Sequence, residues 1–310
     1  MSAENDRTPQ RDLHDVTVVV VTHNSTDVIG GLLDSLPQAL QGLNAEVLIV
    51  DNGSSDATVE RVTGRDDCRV LPSANRGYAA GINEGIRASR AGGPVLILNP
   101  DVRLRPGSVQ PLIAALSLPS IGIVAPKVLD GEGKLTHSLR REPTLLRAVG
   151  LNFTGHPRIA EYLAKDAEYV SGKVVDWALG AVLLVSRACI DTVGEWDESF
   201  FLYSEETDFC LRAKDLGYLT RFEPRSEAEH IGGQSGQSPE THAMQIVNRV
   251  RLYRRRNGGA RSWGYFALTV ASEVTWVLRG HPASRRSIQA LLLPGTRPPQ
   301  LACSGSVMPR

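Results

Sequence analysis

Three carboxylates within four residues are the strongest chemical signal in the sequence. Glu205, Glu206 and Asp208 follow an aromatic segment and stand where a helix is predicted to begin. Carboxylates favour a helix N-terminus because the unpaired N–H groups there carry partial positive charge, so the cluster has a structural explanation. It also has a chemical one, because a carboxylate held in a cleft can act as a general base.

Two further positions could cooperate with such a base. Asn99 and Asp101 flank a proline directly after an apolar run, and His230 ends an extended stretch before a glycine-rich loop. Asp101 could hold Mg²⁺ or Mn²⁺ and leave other coordination positions for diphosphate oxygens and water. Asn-Pro-Asp is also ordinary turn chemistry, and a lone histidine is more often structural. Taken with the carboxylate cluster, the residues indicate metal-assisted transfer chemistry.

Polar residues also follow the first two predicted strands. Thr22, His23 and Asn24 come after a β-branched run, and Asp51 and Asn52 come after a second apolar run. Ligands of open α/β sheets bind beyond the carboxyl ends of the strands, where Asp51 could accept from a base N–H or a ribose hydroxyl. The alternative is an Asx turn into the next helix.

A glycine-bearing helix start adds candidates for the same edge of the sheet. It runs from Asn75 through Gly77 and Tyr78 to Asn83. Small residues there would let a phosphate approach the backbone closely, and tight packing of helix on sheet is an equally good explanation. The pattern is not GxGxxG, so a dinucleotide-binding fingerprint is not supported.

Short apolar strands that alternate with helices predict the fold class. We expect an α/β protein with an open, mostly parallel sheet and helices on both faces. The expected regions, in chain order, are a disordered lead over 1–15, one domain over 16–238, helices over 239–280 and a disordered tail over 281–310.

Composition limits the partners. The chain has 310 residues, 42% hydrophobic and 22% charged, which is enough for one large α/β domain with an appendage. Its net charge of +0 provides no field to attract nucleic acid, so no nucleic-acid partner is predicted. The four cysteines form no CxxC pair, and the polar N-terminus has no apolar signal core, so we expect a cytoplasmic protein.

The C-terminal part combines basic and aromatic residues. Five arginines lie within 249–256, and Trp263 and Trp276 follow. The segment is either a solvated helix face or an interface for anionic lipid or a lipid-diphosphate acceptor. The apolar stretch 263–278 is interrupted by Ser272 and Glu273 and is shorter than the ~20 residues that cross a bilayer, so we expect contact at the inner face of the membrane without crossing.

In this order and spacing, the motifs resemble the inverting glycosyltransferase family 2, which binds nucleotide sugars on a GT-A fold. The resemblance runs from about Val16 to about Ser238. Its landmarks here lie at 21–24, 51–56, 75–83, 99–101, 194–198, 203–212 and His230. The Asn-Pro-Asp and Gly-Tyr-Ala-Ala-Gly forms are most similar to the rhamnosyltransferase-like branch.

The resemblance implies a role for each candidate. Asp51 would bind the pyrimidine or ribose, Asp101 and His230 would hold a divalent metal, and Glu206 would be the general base. Glu206 stands where the family usually has Asp, so Glu205 and Asp208 are alternative bases. The other implied nucleotide-sugar contacts are Thr22, His23, Asn24, Asn52, Asn75, Gly77, Tyr78, Asn83 and Asn99, the last replacing the first Asp of the family's Asp-x-Asp element.

The resemblance also implies substrates. The donor would be dTDP-L-rhamnose, bound by 16–118, and the acceptor would be a hydroxyl of a cell-wall, polysaccharide or polyprenyl-diphosphate-linked glycan, bound by 119–238. One alternative is a family-2 transferase for UDP-galactofuranose, UDP-glucose or UDP-GlcNAc. Another is a catalytically silent nucleotide-sugar-binding protein, which the departures at Glu206 and Asn99 keep open.

Overall fold

The computed structural model describes residues 16–90, 92–232, 238–301 and 307. The strands are β1 (Val16–Thr22), β2 (Ala45–Asn52), β3 (Arg69–Ser73), β4 (Val95–Leu98), β5 (Val102–Leu104), β6 (Ile121–Leu129), β7 (Leu139–Arg140), β8 (Val174–Val175), β9 (Trp177–Ala178), β10 (Val182–Val185) and β11 (Leu219–His230). The α-helices are α1 (Thr26–Ala39), α2 (Thr58–Thr63), α3 (Tyr78–Ala88), α4 (Val109–Leu116), α5 (Arg187–Val193), α6 (Glu205–Asp215), α7 (Pro239–Arg256), α8 (Gly259–Leu278) and α9 (Ala283–Leu292). Short 3-10 turns span Arg147–Val149, Asn152–Thr154, Asp166–Glu168, Glu198–Phe200, Pro294–Thr296 and Pro299–Leu301.

The main sheet has the order β3-β2-β1-β4-β10-β6-β11-β5, and β8 also pairs with β11. β1 is parallel to β2 and β4, and β6 is parallel to β11. β10 is antiparallel to both of its neighbours, β4 and β6. This pairing joins the two predicted parts, 16–118 and 119–238, in a single sheet. The predicted open α/β sheet is therefore confirmed, and the antiparallel strand at its centre is a feature that the sequence did not reveal.

The side chains of β1 point alternately to the two faces of the sheet, and both faces are covered by helices. Val18 and Val20 belong to one buried cluster with Ile29 of α1, whereas Val19 belongs to a second cluster with Ile82 of α3. Successive side chains of a strand point to opposite faces, so a run of valines fills both layers. The carboxyl ends of β1, β2 and β4 are thereby held at one edge of the sheet.

The C-terminal helices form a third buried cluster, and it includes residues close to the carboxylate helix. Val247, Tyr265 and Leu291 come from α7, α8 and α9, and Phe201 and Tyr203 pack against them. These helices are therefore part of the body of the protein that surrounds the start of α6.

The predicted disordered tail over 281–310 is wrong for the helix α9. Ala290 and Leu291 are buried against α7 and α8, and packing of an amphipathic face outweighs the Pro- and Ser-rich composition. The predicted lead over 1–15, the centre of the glycine-rich loop at 233–237 and the last part of the tail at 302–306 and 308–310 lie outside the described residues.

Candidate active site

The loops after β1 and β2 enclose the carboxylate of Asp51. Asp51 is only 3% exposed and accepts hydrogen bonds from the Thr22 hydroxyl at 3.0 Å and from the backbone N–H and hydroxyl of Ser54 at 2.9 and 2.5 Å. Because a carboxylate has about four lone-pair sites, these bonds fix its position and leave acceptor capacity. Its predicted role in binding a base or ribose stays a prediction.

Three other predicted nucleotide contacts are exposed beside this edge. The ring Nδ1 of His23 lies 2.9 Å from the carbonyl oxygen of Asn52. The side-chain oxygen of Asn24 accepts from the Ser55 N–H at 2.8 Å, and Asn75 lies on the loop before α3. Their contacts order the loops around Asp51, and binding of a nucleotide by these side chains stays a prediction.

Gly77 and Asn83 have packing roles, and their predicted contacts with a nucleotide sugar stay a prediction. A Cβ atom on Gly77 would lie 2.4 Å from the backbone oxygen of Phe201, so the neighbouring loop requires the glycine. The buried amide of Asn83 both accepts from and donates to the backbone of Trp196 at 2.9 Å. Asn52 serves the same junction, because its side chain donates to the Gly77 carbonyl at 3.0 Å.

Tyr78 connects the end of β4 with the loop before β10. Its hydroxyl donates to the side-chain oxygen of Asn99 at 2.8 Å and approaches the carbonyl of Gly180 at 3.4 Å. Burial, followed by the charges of Glu205, Glu206 and Asp101, raises the pKa of Tyr78 well above its ordinary value. The phenol therefore stays protonated and lies within electrostatic reach of both acidic parts of the site.

Asp101 and His230 meet although they are distant in sequence. The imidazole Nε2 of His230 lies 3.1 Å from the carboxylate of Asp101, because β5 and the end of β11 are antiparallel neighbours. Among the described residues, no group of three or more His, Cys, Asp and Glu side chains forms a metal cage. A pair of ligands fits Mg²⁺ or Mn²⁺ bound jointly with substrate phosphates. Metal binding here stays a prediction.

The three carboxylates at the start of α6 have different environments. Glu205 is 4% exposed, and Asp208 is ion-paired with Arg212 at 2.7 Å. Glu206 is partly exposed and lines a cavity of about 490 Å³, and its side chain lies beside Gly180, where an added Cβ would be 3.3 Å from the Glu206 Cβ. Of the three candidate bases, Glu206 is the one that lines this cavity.

The carboxylates also differ in protonation. Burial, and after it the charge of Glu206, raises the pKa of Glu205 to about 8. Burial also raises the pKa of Glu206, and backbone N–H groups at the helix start and the positive charge of Arg140 oppose that rise. Near neutral pH Glu205 is therefore largely protonated, whereas the backbone N–H groups and Arg140 favour the charged form of Glu206.

Arg140 is a site residue that sequence reasoning missed. It is 7% exposed on β7, its guanidinium lies 3.8 Å from the centre of the Tyr162 ring, and it lines the same cavity as Glu206. No motif or periodicity marks it, because it comes from a segment with little regular structure. Its charge favours the ionised form of Glu206.

We expect Arg140→Gln to move the acidic limb of the activity profile to higher pH. As the predicted base, Glu206 would act in its ionised form, so activity should fall as pH falls through its pKa, and loss of the neighbouring cation raises that pKa. The measurement is kcat/KM against pH, with Arg140→Lys as a charge-conserving control. A limb that stays in place in the Gln variant would contradict the proposed coupling.

The loop before α6 has an unusual backbone held by Asn248. Phe201, Tyr203 and Ser204 have φ values of 59°, 67° and 75°, which non-glycine residues rarely adopt. The buried side-chain amide of Asn248 donates to the carbonyls of Phe200, Leu202 and Tyr203 at 2.6, 2.9 and 3.1 Å. This contact between α7 and the loop fixes where α6 begins and was not visible in the sequence.

Asn248→Ala is expected to destabilise the protein by about 2–4 kcal/mol, because three carbonyls of a buried loop lose their donor. Activity should fall with it, since the loop positions Glu206. Thermal unfolding measures the first effect. The control is Asn257→Ala at the end of the same helix, where one bond to the Tyr253 carbonyl at 3.0 Å is removed and a smaller loss is expected. Equal losses in the two variants would show that Asn248 has no special role.

Four of the five arginines within 249–256 contact other parts of the protein. Arg249 forms an ion pair with the buried Glu161, Arg255 pairs with Asp197, and Arg256 pairs with Asp215 at 2.8 Å. Arg251 donates to the Ser199 carbonyl at 3.0 Å. These four side chains therefore bind α7 to the rest of the protein, and contact of the C-terminal segment with lipid stays a prediction.

Two solved structures share this arrangement of sheet and helices. A mannosyltransferase from Pyrobaculum calidifontis, solved with GDP-Man and Mn²⁺, aligns with a TM-score of 0.53 at 17% identity. The alignment covers 94% of this chain and 74% of the mannosyltransferase chain. S. aureus TarS 1-349, solved with UDP-GlcNAc, aligns with a TM-score of 0.54 at 16% identity, and the alignment covers 93% of this chain and 82% of the TarS chain. At these identities the likeness concerns the fold, which is that of the GT-A glycosyltransferases.

Sequence similarity identifies the family. The family model described as Glycosyl transferase family 2 matches residues 17–171. A Mycobacterium tuberculosis protein named N-acetylglucosaminyl-diphospho-decaprenol L-rhamnosyltransferase is 32% identical over 289 residues, which cover 86% of this chain and 90% of that protein. The chain therefore belongs to glycosyl transferase family 2 and is a hexosyltransferase by class, which confirms the predicted family and enzyme class.

Proposed function

We propose that this enzyme transfers L-rhamnose from dTDP-L-rhamnose, with inversion, to a sugar hydroxyl of a lipid-linked or cell-wall glycan. The observation that carries the proposal is the distinct environment of Glu206, which lines a cavity while Glu205 is buried and Asp208 is ion-paired. The similarity to the mycobacterial L-rhamnosyltransferase, which extends over most of both chains, supports the choice of sugar and of acceptor class.

The proposed reaction uses residues of this chain in three roles. The ionised carboxylate of Glu206 takes the proton of the acceptor hydroxyl, and the hydroxyl oxygen attacks the anomeric carbon of the donor. The bond between that carbon and the diphosphate oxygen breaks, and the nucleoside diphosphate leaves with the electron pair. Asp51 orients the nucleoside, and Tyr78 holds the end of β4 against the Gly180 loop.

Asp101 and His230 are the residues that would hold a divalent metal. When bound, such a metal supplies charge neutralisation for the diphosphate leaving group. The 3.1 Å separation of the two side chains, which come from different strand ends, is consistent with a shared ligand. The mannosyltransferase of the same fold was solved with Mn²⁺, which supports a divalent cation here.

Direct assay of donor use tests the proposal. Purified protein is incubated with dTDP-L-rhamnose or with UDP-galactofuranose, UDP-glucose or UDP-GlcNAc, with Mn²⁺, Mg²⁺ or EDTA, and release of nucleoside diphosphate is measured. We expect metal-dependent release from dTDP-L-rhamnose above the other donors. Release from a UDP-sugar alone would reassign the donor, and no binding or release from any donor would favour a catalytically silent binding protein.

We also propose that the outer face of α8 rests on an anionic membrane surface. Trp263, Val274 and Leu278 recur at helical spacing and are 53%, 42% and 81% exposed, and Arg261 and Arg279 are exposed at the two ends of the helix. An apolar stripe with flanking cations suits the interface of a bilayer with anionic lipids. No helix in the described part of the chain is long and apolar enough to span a membrane.

We expect the double variant Trp263→Ser, Leu278→Ser to bind vesicles containing phosphatidylglycerol about tenfold more weakly, because two exposed apolar side chains are lost from the contact. Cosedimentation measures the bound fraction, and thermal unfolding checks the fold. The control is Leu118→Ser, which removes an apolar side chain that is 42% exposed outside the C-terminal helices. Unchanged binding by the double variant would refute a membrane contact through α8.

A further inference from the structure

A cavity of about 490 Å³ joins the candidate base to the C-terminal helices. Glu206 lies on one wall, β7 and β9 supply Arg140 and Trp177, and α7 and α8 supply the opposite wall. The volume is in the range of small-molecule sites in proteins, about 300–1,000 Å³. Arg249 and Glu161, which tie α7 to the body of the protein, also line it.

The wall formed by α8 combines polar and aromatic side chains. Thr269, Ser272 and Glu273 line the cavity, and Thr269 and Glu273 are each 4% exposed. Their spacing places them on one face, whereas Val274 and Leu278 are exposed elsewhere on the helix. The same side of α8 also buries Tyr265 and places Trp276 in the cavity lining, so this wall combines hydrogen-bonding groups with an aromatic ring, as in sites for ligands that have both polar and apolar surface.

Two cavity-lining side chains have polar groups available to a ligand. The amide of Gln245 and the hydroxyl of Ser272 make no hydrogen bond within the described part of the chain. By contrast, Arg249 pairs with Glu161, and the Nε2 atom of His242 bonds Glu273 at 3.0 Å, while the Nδ1 atom of His242 is buried with no partner among the described residues. Gln245 and Ser272 are only partly buried, so their polar groups are open to a ligand that enters the cavity.

The charge of the lining selects the kind of ligand. Two arginines, Arg140 and Arg249, face three glutamates, Glu161, Glu206 and Glu273, so cations are not in excess. An anionic diphosphate would enter a site without surplus positive charge. A neutral sugar ring fits the uncharged hydrogen-bonding groups of the cavity and its aromatic wall, which includes Trp177. Aromatic rings can cover the apolar surface of a sugar, and the polar groups can form hydrogen bonds with its hydroxyls.

We propose that this cavity binds the neutral, reacting sugar ring of the acceptor, and that Gln245 and Ser272 determine its specificity. Any anionic linkage of the acceptor then lies outside the cavity. The inference rests on the proposed function, because Glu206 must be the base that meets the bound hydroxyl. The two residues do not take part in the chemistry, and their effect is on acceptor binding.

The test uses the full chain and neutral octyl glycosides, with octyl N-acetylglucosaminide among them, as acceptors for dTDP-L-rhamnose. Gln245→Ala and Ser272→Ala should each raise the acceptor KM about three- to tenfold, the effect expected for one lost hydrogen bond. Donor affinity and donor hydrolysis without acceptor should be unchanged. Gln289→Ala, on the exposed side of α9, is the matched control and should change neither.

The outcomes separate the inference from the function on which it rests. Transfer to a neutral glycoside with a raised acceptor KM in both variants and an unchanged donor affinity supports the cavity as the acceptor-sugar site. Normal acceptor KM in both variants, or transfer that requires a diphosphate-linked sugar, overturns the inference and leaves the glycosyltransferase intact. Absence of donor hydrolysis in the wild type overturns the proposed function and the inference with it.

Discussion

Glu206→Gln is expected to lower kcat by about 10²–10⁴-fold, the contribution of a positioned general base. The amide keeps the size of the carboxylate and loses its ability to accept a proton. Affinity for the nucleotide sugar should change little, because the predicted donor contacts lie at the ends of β1, β2 and β4. Single-turnover transfer measures the first effect, and calorimetric titration with the donor measures the second.

Glu205→Gln is the matched control for this variant. Glu205 is adjacent and of the same type, but it is buried with a pKa raised to about 8, so near neutral pH it is already largely protonated and an amide resembles it. We expect the control to retain most of its turnover. A large loss in Glu205→Gln with normal turnover in Glu206→Gln would exchange their roles, and normal turnover in both would leave Asp208 as the remaining candidate base.

Asp101→Asn is expected to abolish the metal dependence of donor binding and to lower kcat by about 10²-fold or more, since charge neutralisation of a leaving group is typically worth several kcal/mol. An amide oxygen is a weaker ligand than a carboxylate and carries no charge to balance the cation. The measurement is donor titration with and without Mn²⁺, followed by release of nucleoside diphosphate. The double variant with His230→Ala should add little, because both residues act on the same ion.

The control for Asp101→Asn is Asp34→Asn, a substitution of the same type at a side chain that is 70% exposed on α1. It should keep wild-type metal dependence. Thermal unfolding of the Asp101 variant is needed beside the assay, because Asp101 is 6% exposed and contacts His230. A stable Asp101→Asn protein whose donor binding still responds fully to Mn²⁺ would place the metal site elsewhere.

The strands and helices around the candidate site could be predicted because each depends on a local pattern. The valine run of β1 predicts a strand covered on both faces, and polar residues after β1, β2 and β4 predict a binding edge. The carboxylates at 205–208 predict the start of α6, as the structure has it. The tail was predicted wrongly because the stability of α9 comes from its contacts with α7 and α8.

The relations among distant residues could not be predicted from such patterns. Asn248 supports the loop before α6, and the charge of Arg140 lowers the pKa of Glu206, yet neither residue belongs to a recognisable motif. At Gly77 the sequence left ligand approach and tight packing open, and the structure places the backbone of Phe201 close to it. A glycine indicates that something comes close, and its sequence context does not say what.

The sequence by itself determined the family, the strands with polar ends and the positions of the acidic and histidine side chains. Only the tertiary structure decided that β10 enters the sheet between β4 and β6, that Asp101 meets His230, and that Glu206 rather than Glu205 lines the cavity. A local sequence pattern indicates the periodicity of a single helix or strand and the polar residues at its ends. Which carboxylate is buried, paired or accessible depends on packing against elements far along the chain, and that packing sets its charge and its chemistry.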